Sequence, residues 1–368
     1  MVGHVVVIGA GVYGAAVAAS LTRRGARVTL VDAGAPAGGT SGATFSWINS
    51  CGKNPRPYHD LSVASMEAHR RLAAEVPLSD WYHEGGNLEW AADDAEREEL
   101  RKKVAGVLAY GYEARWLTRA EVLRLEPDLN PDEVPADEIA YFPREGWIEP
   151  VRMIGQLLSQ SVSRGAEVVR DDAVTGLEMA SGVVRLVSGR RLSADAVVNC
   201  AGPRAGEVAG LAGLDLPMRN VRGVLIHTSP VAVSVARVVH APRVHLRPDG
   251  GGRLLLHTHE IDSAASASGV VEQSAVDKVV EAGRALYPAI RAASVESVRV
   301  GERPIPGDGL PVLGRVTDLP GFFFAVSHSG ATLSLHAGDL VAAEVLGEDR
   351  REELAAFRFE RFAVPQRP

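Results

Sequence analysis

Three glycines near the start of the chain, Gly9, Gly11 and Gly14, have the spacing of a turn that binds phosphate groups. In such a turn the first glycine permits a sharp bend, the second lets a pyrophosphate approach the backbone, and the third lets a helix pack closely on a strand. The phosphates then lie against the free N–H groups and the positive dipole end of that helix. This pattern predicts the binding of a dinucleotide.

Asp32 supports that prediction from the end of the next predicted strand. A carboxylate there accepts hydrogen bonds from the ribose hydroxyls of an adenosine, whereas a preference for NADP favours a basic residue. The surrounding pattern fits, because residues 4–8 predict a strand, 15–24 a helix and 28–31 a second strand. The three glycines alone are a weak signal, and this context makes it a strong one.

The composition limits the classes of protein to which the chain can belong. Its 368 residues, with 46% hydrophobic content, are enough for a large core and about two domains. A net charge of -7 without a basic cluster argues against nucleic acid as a partner. No apolar run approaches the roughly 18 residues that cross a bilayer, and the first strand leaves no room for a signal peptide. We expect a cytoplasmic protein with no membrane partner.

The cysteines and histidines predict no metal site. Cys51 and Cys200 are too few for a disulfide framework and do not have the spacing of metal ligands, so we interpret both as packing residues. The 11 histidines are scattered, without an HExxH motif or paired CxxC motifs.

The rest of the chain alternates between helical and extended patterns. Helices are predicted at 58–75, 95–108 and 150–164, and Thr118 with Glu121 forms a capping box for a short helix. A strand-rich stretch covers 222–300, where His257 and His259 are predicted to lie on one face of a strand. Residues 321–345 predict a strand, a glycine-containing turn and a helix. Further short strands, predicted as a meander that returns to a parallel sheet, are 167–170, 177–179, 183–187 and 196–200.

Six short motifs, in a fixed order over nearly the whole chain, carry a resemblance to a known family. They are Gly9-x-Gly11-x-x-Gly14 with Asp32, Gly39-Thr40-Ser41, Gly146-x-Ile148-x-Pro150, Val197-Val198-Asn199-Cys200-Ala201-Gly202, Arg303-Pro304 with Asp308-Gly309-x-Pro311-x-x-Gly314, and His328-Ser329-Gly330. In their order and spacing the sequence resembles the D-amino acid oxidase superfamily of FAD enzymes, which includes glycine oxidase and monomeric sarcosine oxidase.

The resemblance implies an α/β fold in which a Rossmann-like FAD-binding domain is interleaved with an α+β substrate-binding domain. The FAD-binding domain would comprise residues 1–48, 145–215 and 298–350. The substrate-binding domain would comprise residues 49–144 and 216–297, and residues 351–368 would form a C-terminal tail.

The resemblance also assigns residues to the cofactor, which it predicts to be non-covalent FAD. Ala43 replaces the histidine that tethers flavin in the dimethylglycine dehydrogenase branch, and no cysteine lies between residues 303 and 333 to form the other known tether. The N-terminus of the last helix would face the flavin pyrimidine edge, where negative charge accumulates on reduction. The predicted cofactor residues are Gly9, Gly11, Val12, Tyr13, Gly14, Asp32, Ala33, Thr40, Ser41, Thr44, Phe45, Ser46, Val174, Gly202, His328, Ser329, Gly330, Ala331, Thr332 and Leu333.

Arg303 and His245 are the predicted catalytic residues. Arg303 matches the family arginine that binds the substrate carboxylate, and a planar guanidinium suits such a bidentate partner. His245 falls where glycine oxidases have a tyrosine that contacts the substrate. The implied reaction is oxidation of the C–N bond of an amino acid or secondary amine, by hydride transfer to flavin N5 to give an imine.

Departures from the family keep other functions open. Leu255 stands where sarcosine oxidases have a lysine that promotes the reaction of reduced flavin with oxygen, so the electron acceptor is oxygen or another compound. The stretch Phe45-Ser46-Trp47-Ile48-Asn49 lacks the arginines of sarcosine oxidases, which predicts a different pocket. The alternatives are a flavin dehydrogenase with another acceptor, an NAD-dependent dehydrogenase, and a non-catalytic subunit that retains the fold.

Overall fold

The computed structural model of the chain describes residues 2–76, 79–266 and 268–362. The α-helices are α1 (Val12–Arg23), α2 (Arg56–Glu75), α3 (Asp94–Ala109), α4 (Arg119–Leu125), α5 (Pro150–Ser163), α6 (Ala205–Leu211), α7 (His259–Asp262), α8 (Gln273–Leu286), α9 (Gly330–Val345) and α10 (Arg351–Leu354). Among the described helices, none combines the length and the apolar character needed to cross a membrane.

The strands form two large sheets and two small ones. They are β1 (His4–Ile8), β2 (Arg27–Val31), β3 (Trp47–Ile48), β4 (Tyr82–Glu84), β5 (Asn87–Glu89), β6 (Arg115–Leu117), β7 (Ile139–Phe142), β8 (Gly146–Ile148), β9 (Glu167–Val169), β10 (Val174–Glu178), β11 (Val183–Leu186), β12 (Arg191–Ser193), β13 (Ala196–Asn199), β14 (Val221–Thr228), β15 (Val238–Ala241), β16 (Val244–Pro248), β17 (Leu254–His257), β18 (Val295–Arg303), β19 (Val312–Arg315) and β20 (Phe322–Val326).

The first large sheet has six strands in the order β19-β20-β13-β1-β2-β9. Its strands pair in parallel except for β19, which is antiparallel to β20. Strand β1 is almost wholly buried, as the continuous apolar run Val5 to Ile8 requires of a strand covered on both faces. The sheet confirms the strands that the glycine motif predicts on either side of α1.

Helices α1 and α9 pack together against this sheet, and small residues allow their close approach. A Cβ on Gly338 would lie 3.1 Å from the Cβ of Ala16. At Gly14 a side chain would overlap the carbonyl oxygen of Gly9, so this glycine lets α1 pack directly after β1. Both features follow from the absence of a Cβ and not from backbone strain.

The second large sheet has eight strands in the order β18-β14-β17-β16-β15-β5-β7-β6. Its pairs are antiparallel except for β15 with β5, which is parallel. One face of this sheet packs against α8 through a core that includes Val276, Val279 and Leu256. The opposite face of its central strands carries polar side chains and forms the wall of a cavity.

The structure confirms the predicted α/β fold class, and most predicted elements are present. The meander β10-β11-β12 leads into β13 of the parallel sheet, and Thr118 with Glu121 forms the predicted capping box. Cys51 and Cys200 are free and buried, as packing residues should be. The division of the chain into two domains and a tail stays a prediction.

One predicted strand is wrong at its end. His257 is the last residue of β17, and Thr258 turns the chain by accepting a hydrogen bond from Ile261 N at 3.2 Å, so that His259 begins α7. His257 and His259 therefore do not share a strand face. Their rings still lie near each other, with centroids 5.4 Å apart, because the capped turn folds back toward the strand.

Candidate active site

A cavity of about 960 Å³ opens at the carboxyl ends of the parallel strands. Its lining includes the last residues of β1, β2 and β20, which are Ile8, Val31 and Val326, and the residue that follows β13, Cys200. In open parallel sheets this edge is where ligands bind, beside the N-termini of the following helices. We call this space the first cavity.

The glycine turn lies in the first cavity with the geometry that a close backbone approach requires. Gly9 has a φ of +103°, and a side chain there would overlap the carbonyl oxygen of Cys200. A Cβ on Gly11 would lie 2.9 Å from Ser41 Oγ, and that hydroxyl accepts a hydrogen bond from Val12 N at 3.1 Å. The turn therefore presents a narrow bare surface between α1 and the loop at Ser41, on the wall of the first cavity. Bare backbone of this kind is what a pyrophosphate approaches.

Asp32 lines the same cavity as the glycine turn. Its carboxylate accepts hydrogen bonds from Ala10 N at 2.6 Å and from Gly34 N at 2.8 Å. These bonds hold the carboxylate at the rim of the first cavity, beside Ala33. The position matches that of an acid which accepts hydrogen bonds from ribose.

The predicted cofactor residues gather at two connected cavities, with two exceptions. Gly14 packs against the β1 turn, and Leu333 is buried in the core, where its N–H donates to Ser329 O at 2.9 Å. The second cavity, of about 740 Å³, adjoins the first. Those lining at least one cavity are Gly9, Gly11, Val12, Tyr13, Asp32, Ala33, Thr40, Ser41, Thr44, Phe45, Ser46, Val174, Gly202, His328, Ser329, Gly330, Ala331 and Thr332.

Five residues line both cavities and so mark the junction between them. They come from the loop after β2 and from the start of α9, and they are Thr40, Ala43, Thr44, His328 and Ala331. A dinucleotide that runs along the first cavity would place its far end at this junction. Residues of both segments are among those that the resemblance assigns to FAD.

The start of α9 is held in place by polar contacts from α2 and the loop before it. Lys53 Nζ donates to Ser329 Oγ at 2.8 Å, and the Tyr58 hydroxyl lies 2.7 Å from the same atom. Ser329 is the N-cap residue, and the first N–H groups of a helix have no partner within the helix. The junction therefore faces unpaired donors and the positive end of a dipole of 16 residues.

Strand β18 connects the junction to the second cavity. Val300, Gly301 and Glu302 line the first cavity, and Arg303 lines the second. At Gly301 a Cβ would overlap the carbonyl oxygen of Ala43. The strand thus lies directly against the loop that forms the junction.

Arg303 has a fixed place on the wall of the second cavity. Its NH1 donates to Asp262 Oδ2 at 2.8 Å, and its NH2 lies 3.4 Å from His257 Nε2. A Cβ on Gly223 would lie 2.7 Å from the guanidinium, so the bare backbone of β14 supports the flat group from below. Both predicted catalytic residues, Arg303 and His245, line this cavity.

A row of histidines forms the neighbouring wall. His240, His245 and His257 lie directly opposite one another on β15, β16 and β17, so their side chains share a face of the sheet. The ring centroids of His240 and His245 are 4.6 Å apart, and those of His245 and His259 are 5.1 Å apart. Burial lowers the pKa of His245 to about 3 and that of His257 to about 4, so both rings are neutral near pH 7.

Polar atoms of His257, His259 and Asp262 lie within 4.8 Å of one another. A divalent ion placed there would meet the positive guanidinium of Arg303, which already pairs with the Asp262 carboxylate. The geometry is that of an ion-pair cluster that orients the Arg303 guanidinium.

A model of one protein family matches residues 4–344, and its description is FAD dependent oxidoreductase, abbreviated DAO. The chain belongs to this family of FAD-dependent oxidoreductases. Its cofactor is FAD, and the first cavity fits that cofactor through the bare glycine turn, the Asp32 carboxylate and the junction at α9. The nicotinamide-dependent alternative is therefore set aside.

Two glycine oxidases among the relatives of this FAD-dependent oxidoreductase match it over nearly their whole length. It is 27% identical over 371 residues to a glycine oxidase of Geobacillus kaustophilus, covering 97% of this chain and 96% of the relative. A glycine oxidase of Bacillus licheniformis is 24% identical over 367 residues, with the same coverage. The crystal structure of the Geobacillus kaustophilus glycine oxidase superposes with a TM-score of 0.84 and covers 96% of this chain and 97% of that one. An iminodiacetate oxidase from Chelativorans sp. BNC1, at 24% identity and a TM-score of 0.83, shares the fold.

Sequence reasoning missed several polar residues of this FAD-dependent oxidoreductase. Asp262 and His240 line or support the second cavity, and neither lies in a recognised motif. Lys53, which contacts the start of α9, lies in no recognised motif either. The one available signal was the capping pattern of Thr258, which would have turned the chain after His257 and brought Asp262 back toward β17.

Proposed function

We propose that this FAD-dependent oxidoreductase oxidises the C–N bond of an amino acid or secondary amine that carries a carboxylate. The observation that supports this most is the place of Arg303, on the wall of the second cavity and one residue beyond the part of β18 that lines the first. A substrate whose carboxylate binds Arg303 would have its amine-bearing carbon beside the junction. Glycine oxidases among the relatives fit the same substrate class.

When bound, FAD supplies the acceptor for a hydride at its N5 atom. The protein residues then have to orient the substrate, exclude water and keep the amine neutral. Arg303 would fix the carboxylate with paired N–H donors, and the neutral ring of His245 would contact the amine or its substituent. The start of α9 would stabilise negative charge at the pyrimidine edge with its dipole and free N–H groups.

The electron acceptor of the proposed reaction is oxygen in an oxidase and another compound in a dehydrogenase. The character of Leu255 keeps the dehydrogenase as an alternative. Leu255 is fully buried and carries no charge, so it cannot stabilise a developing superoxide as a lysine would. Its cross-strand neighbours are Arg247 and His227, and the Arg247 guanidinium is bound to Phe45 O and Ser46 Oγ. We propose an oxidase, with the dehydrogenase as the alternative.

An anaerobic absorbance titration tests the proposal. The purified protein is titrated with amino acids of both configurations and with N-substituted amino acids, and then opened to air. Bleaching of the flavin band with fast recovery in air is the expected result for an oxidase, and slow recovery indicates a dehydrogenase. A flavin band that no carboxylate-bearing amine bleaches would favour the non-catalytic subunit and contradict the proposal.

A further inference from the structure

Arg303 lies in a cluster with Asp262 and His257. A simple carboxylate clamp needs only the arginine and a partner that orients it, and this cluster also contains a histidine. The Asp262 carboxylate is 10% exposed and binds both Arg303 NH1 at 2.8 Å and Val224 N at 2.8 Å. His257 Nδ1 lies 3.7 Å from Asp262 Oδ1. The positive and negative charges cancel while the His257 ring is neutral, so the cluster has no net charge.

The backbone fixes which nitrogen of His257 carries its hydrogen. Nδ1 lies 3.0 Å from the carbonyl oxygen of Val224, which only accepts hydrogen bonds, so Nδ1–H is the donor. The lone pair is therefore on Nε2, which faces Arg303 NH2 at the long distance of 3.4 Å. His257 also lines the second cavity, and so long a contact leaves its lone pair available as a base there.

Binding of a substrate carboxylate changes the charge of this cluster. Two carboxylates would then share one guanidinium, which leaves one uncompensated negative charge in a poorly solvated place. One proton on His257 restores neutrality, and the resulting imidazolium lies next to Asp262. An amino acid arrives as a zwitterion, with one ammonium proton to lose before its carbon can release a hydride.

We propose that His257 accepts the ammonium proton of a substrate whose carboxylate binds Arg303. An ammonium N–H bond breaks and its electron pair stays on the substrate nitrogen, while a new N–H bond forms at His257 Nε2. Overall charge is conserved, since a zwitterion and a neutral cluster become an anionic substrate and a cationic cluster. This inference rests on the proposed function, because it needs the carboxylate to bind Arg303.

The groups that face His257 support a path for the proton. Asp262 and His259 face it from α7, Arg303 from β18 and His245 from β16, with ring centroids of the two histidines at 5.4 and 5.7 Å. Arg303 opposes protonation in the free protein, and a bound carboxylate would offset that effect. His259 is exposed and can pass the proton to solvent.

Acetate binding to the FAD-loaded protein tests this without any turnover. Isothermal titration calorimetry in buffers of different ionisation enthalpy measures both the affinity for acetate and the number of protons taken up on binding. We expect proton uptake with acetate, and a Kd that rises by up to about tenfold per pH unit above pH ~5.5 until the pKa of the complex is reached. In His257→Asn the amide can still donate to Val224 O but offers no base, so the Kd should not change with pH.

Two further variants separate the possible results. His245→Phe keeps an aromatic ring on the same wall and should retain the proton uptake. Acetate binding that needs Arg303 but takes up no proton, or an unchanged pH dependence in His257→Asn, would overturn the role of His257 alone. Equal acetate binding by wild type and Arg303→Leu would overturn both this inference and the carboxylate clamp.

Anaerobic flavin reduction gives a second readout. In wild type, reduction at low substrate concentration should change little with pH near neutrality, because the protein removes the proton. In His257→Asn it should rise about tenfold per pH unit below the pKa of the free amine, since only the neutral amine reacts. A wild-type rate that already follows the fraction of neutral amine in solution would rule out a proton acceptor at this site.

Discussion

Arg303 has surroundings that suit the carboxylate-binding role proposed for it. Its guanidinium is placed by Asp262, by His257 and by the bare backbone at Gly223 before any substrate arrives. A clamp that is ordered in advance loses little conformational entropy on binding. The same contacts explain why a lysine could not replace this arginine, since an ammonium lacks the flat shape that fits over Gly223.

Arg303→Leu should lower kcat/KM for a carboxylate-bearing amine by roughly 100-fold, which corresponds to about 3 kcal/mol of lost binding. Most of the change should appear in KM, because the clamp holds ground state and transition state alike. Arg253→Leu removes an arginine that pairs with Glu296 on the surface and should leave both constants unchanged. Unaltered kinetics in Arg303→Leu would show that the carboxylate binds elsewhere.

Glu145 is a second residue with a marked effect, on stability and not on chemistry. Its buried carboxylate accepts hydrogen bonds from Cys51 N at 2.9 Å and from Trp47 Nε1 at 3.0 Å. Burial raises its pKa to about 7. Between the ordinary value and about 7 the folded state binds the proton more tightly than the unfolded state, so this group makes the protein less stable as pH rises through that range.

Glu145→Gln should therefore remove a pH-dependent part of the unfolding free energy. The difference in the free energy of unfolding between wild type and variant should change by about 3 kcal/mol between pH ~4.5 and pH ~7. The wild type should become less stable relative to the variant as pH rises. Urea unfolding at several pH values measures it. Parallel curves for the two proteins would mean that the backbone donors keep Glu145 charged throughout.

At the scale of elements, the turn between β1 and α1 shows which features a local sequence pattern can predict. The glycine spacing and the strand before it are local, so they predict the strand, the turn and the helix correctly. The row of His240, His245 and His257 depends instead on the register of β15, β16 and β17, which is set by pairing between distant segments. No local pattern carries that information: the sequence singled out His245 and His257 separately and did not single out His240.

The end of β17 gives the opposite case. Alternation of His257 and His259 favoured a continuing strand, but the Thr258 hydroxyl caps a helix and overrides that local pattern. The change of direction also brings Asp262 to Arg303, and this partner was missed for the same reason. Arg303 on β18 was predicted to bind a carboxylate because it lies in a family motif, whereas its supporting contact Asp262 comes from an element without one.

Gly11→Val should produce a folded protein that does not retain FAD. A side chain at this position would meet Ser41 Oγ and fill the narrow surface between α1 and the loop. Gly155→Val is a matched control, because it adds the same side chain on α5, where nothing lies within 4 Å. The ratio of flavin absorbance to protein absorbance after gel filtration reports the result. A fully yellow Gly11→Val protein would refute the placement of the phosphates at this turn.

At the scale of the whole molecule, the first cavity is bounded by parts of both large sheets. Ile8 and Cys200 lie at the ends of strands of the six-stranded sheet, and Val300 lies on β18 of the eight-stranded sheet. A ligand in this cavity contacts both sheets at once. Its binding free energy therefore adds to the stability of the folded chain as a unit.

Added FAD should raise the melting temperature of the flavin-free protein in a concentration-dependent way. At a free concentration of about 100 times Kd, the expected stabilisation is roughly 2.7 kcal/mol.

The protein should bind FAD non-covalently, because Ala43 offers no attachment point and no cysteine lies at residues 303–333. Acid precipitation should leave all of the yellow colour in the supernatant. Colour that stays with the pellet would demonstrate a covalent link and contradict this prediction.

Gly301 joins the strand that carries Arg303 to the loop that is predicted to contact FAD. The strand that carries Arg303 touches the carbonyl oxygen of Ala43 where any larger residue would collide with it. Engineers who reshape the second cavity by moving β18 would therefore also displace the loop around Thr40 to Thr44. Altered specificity and lost flavin should appear together in such libraries, so selection for new substrates ought to begin with variants that are still yellow.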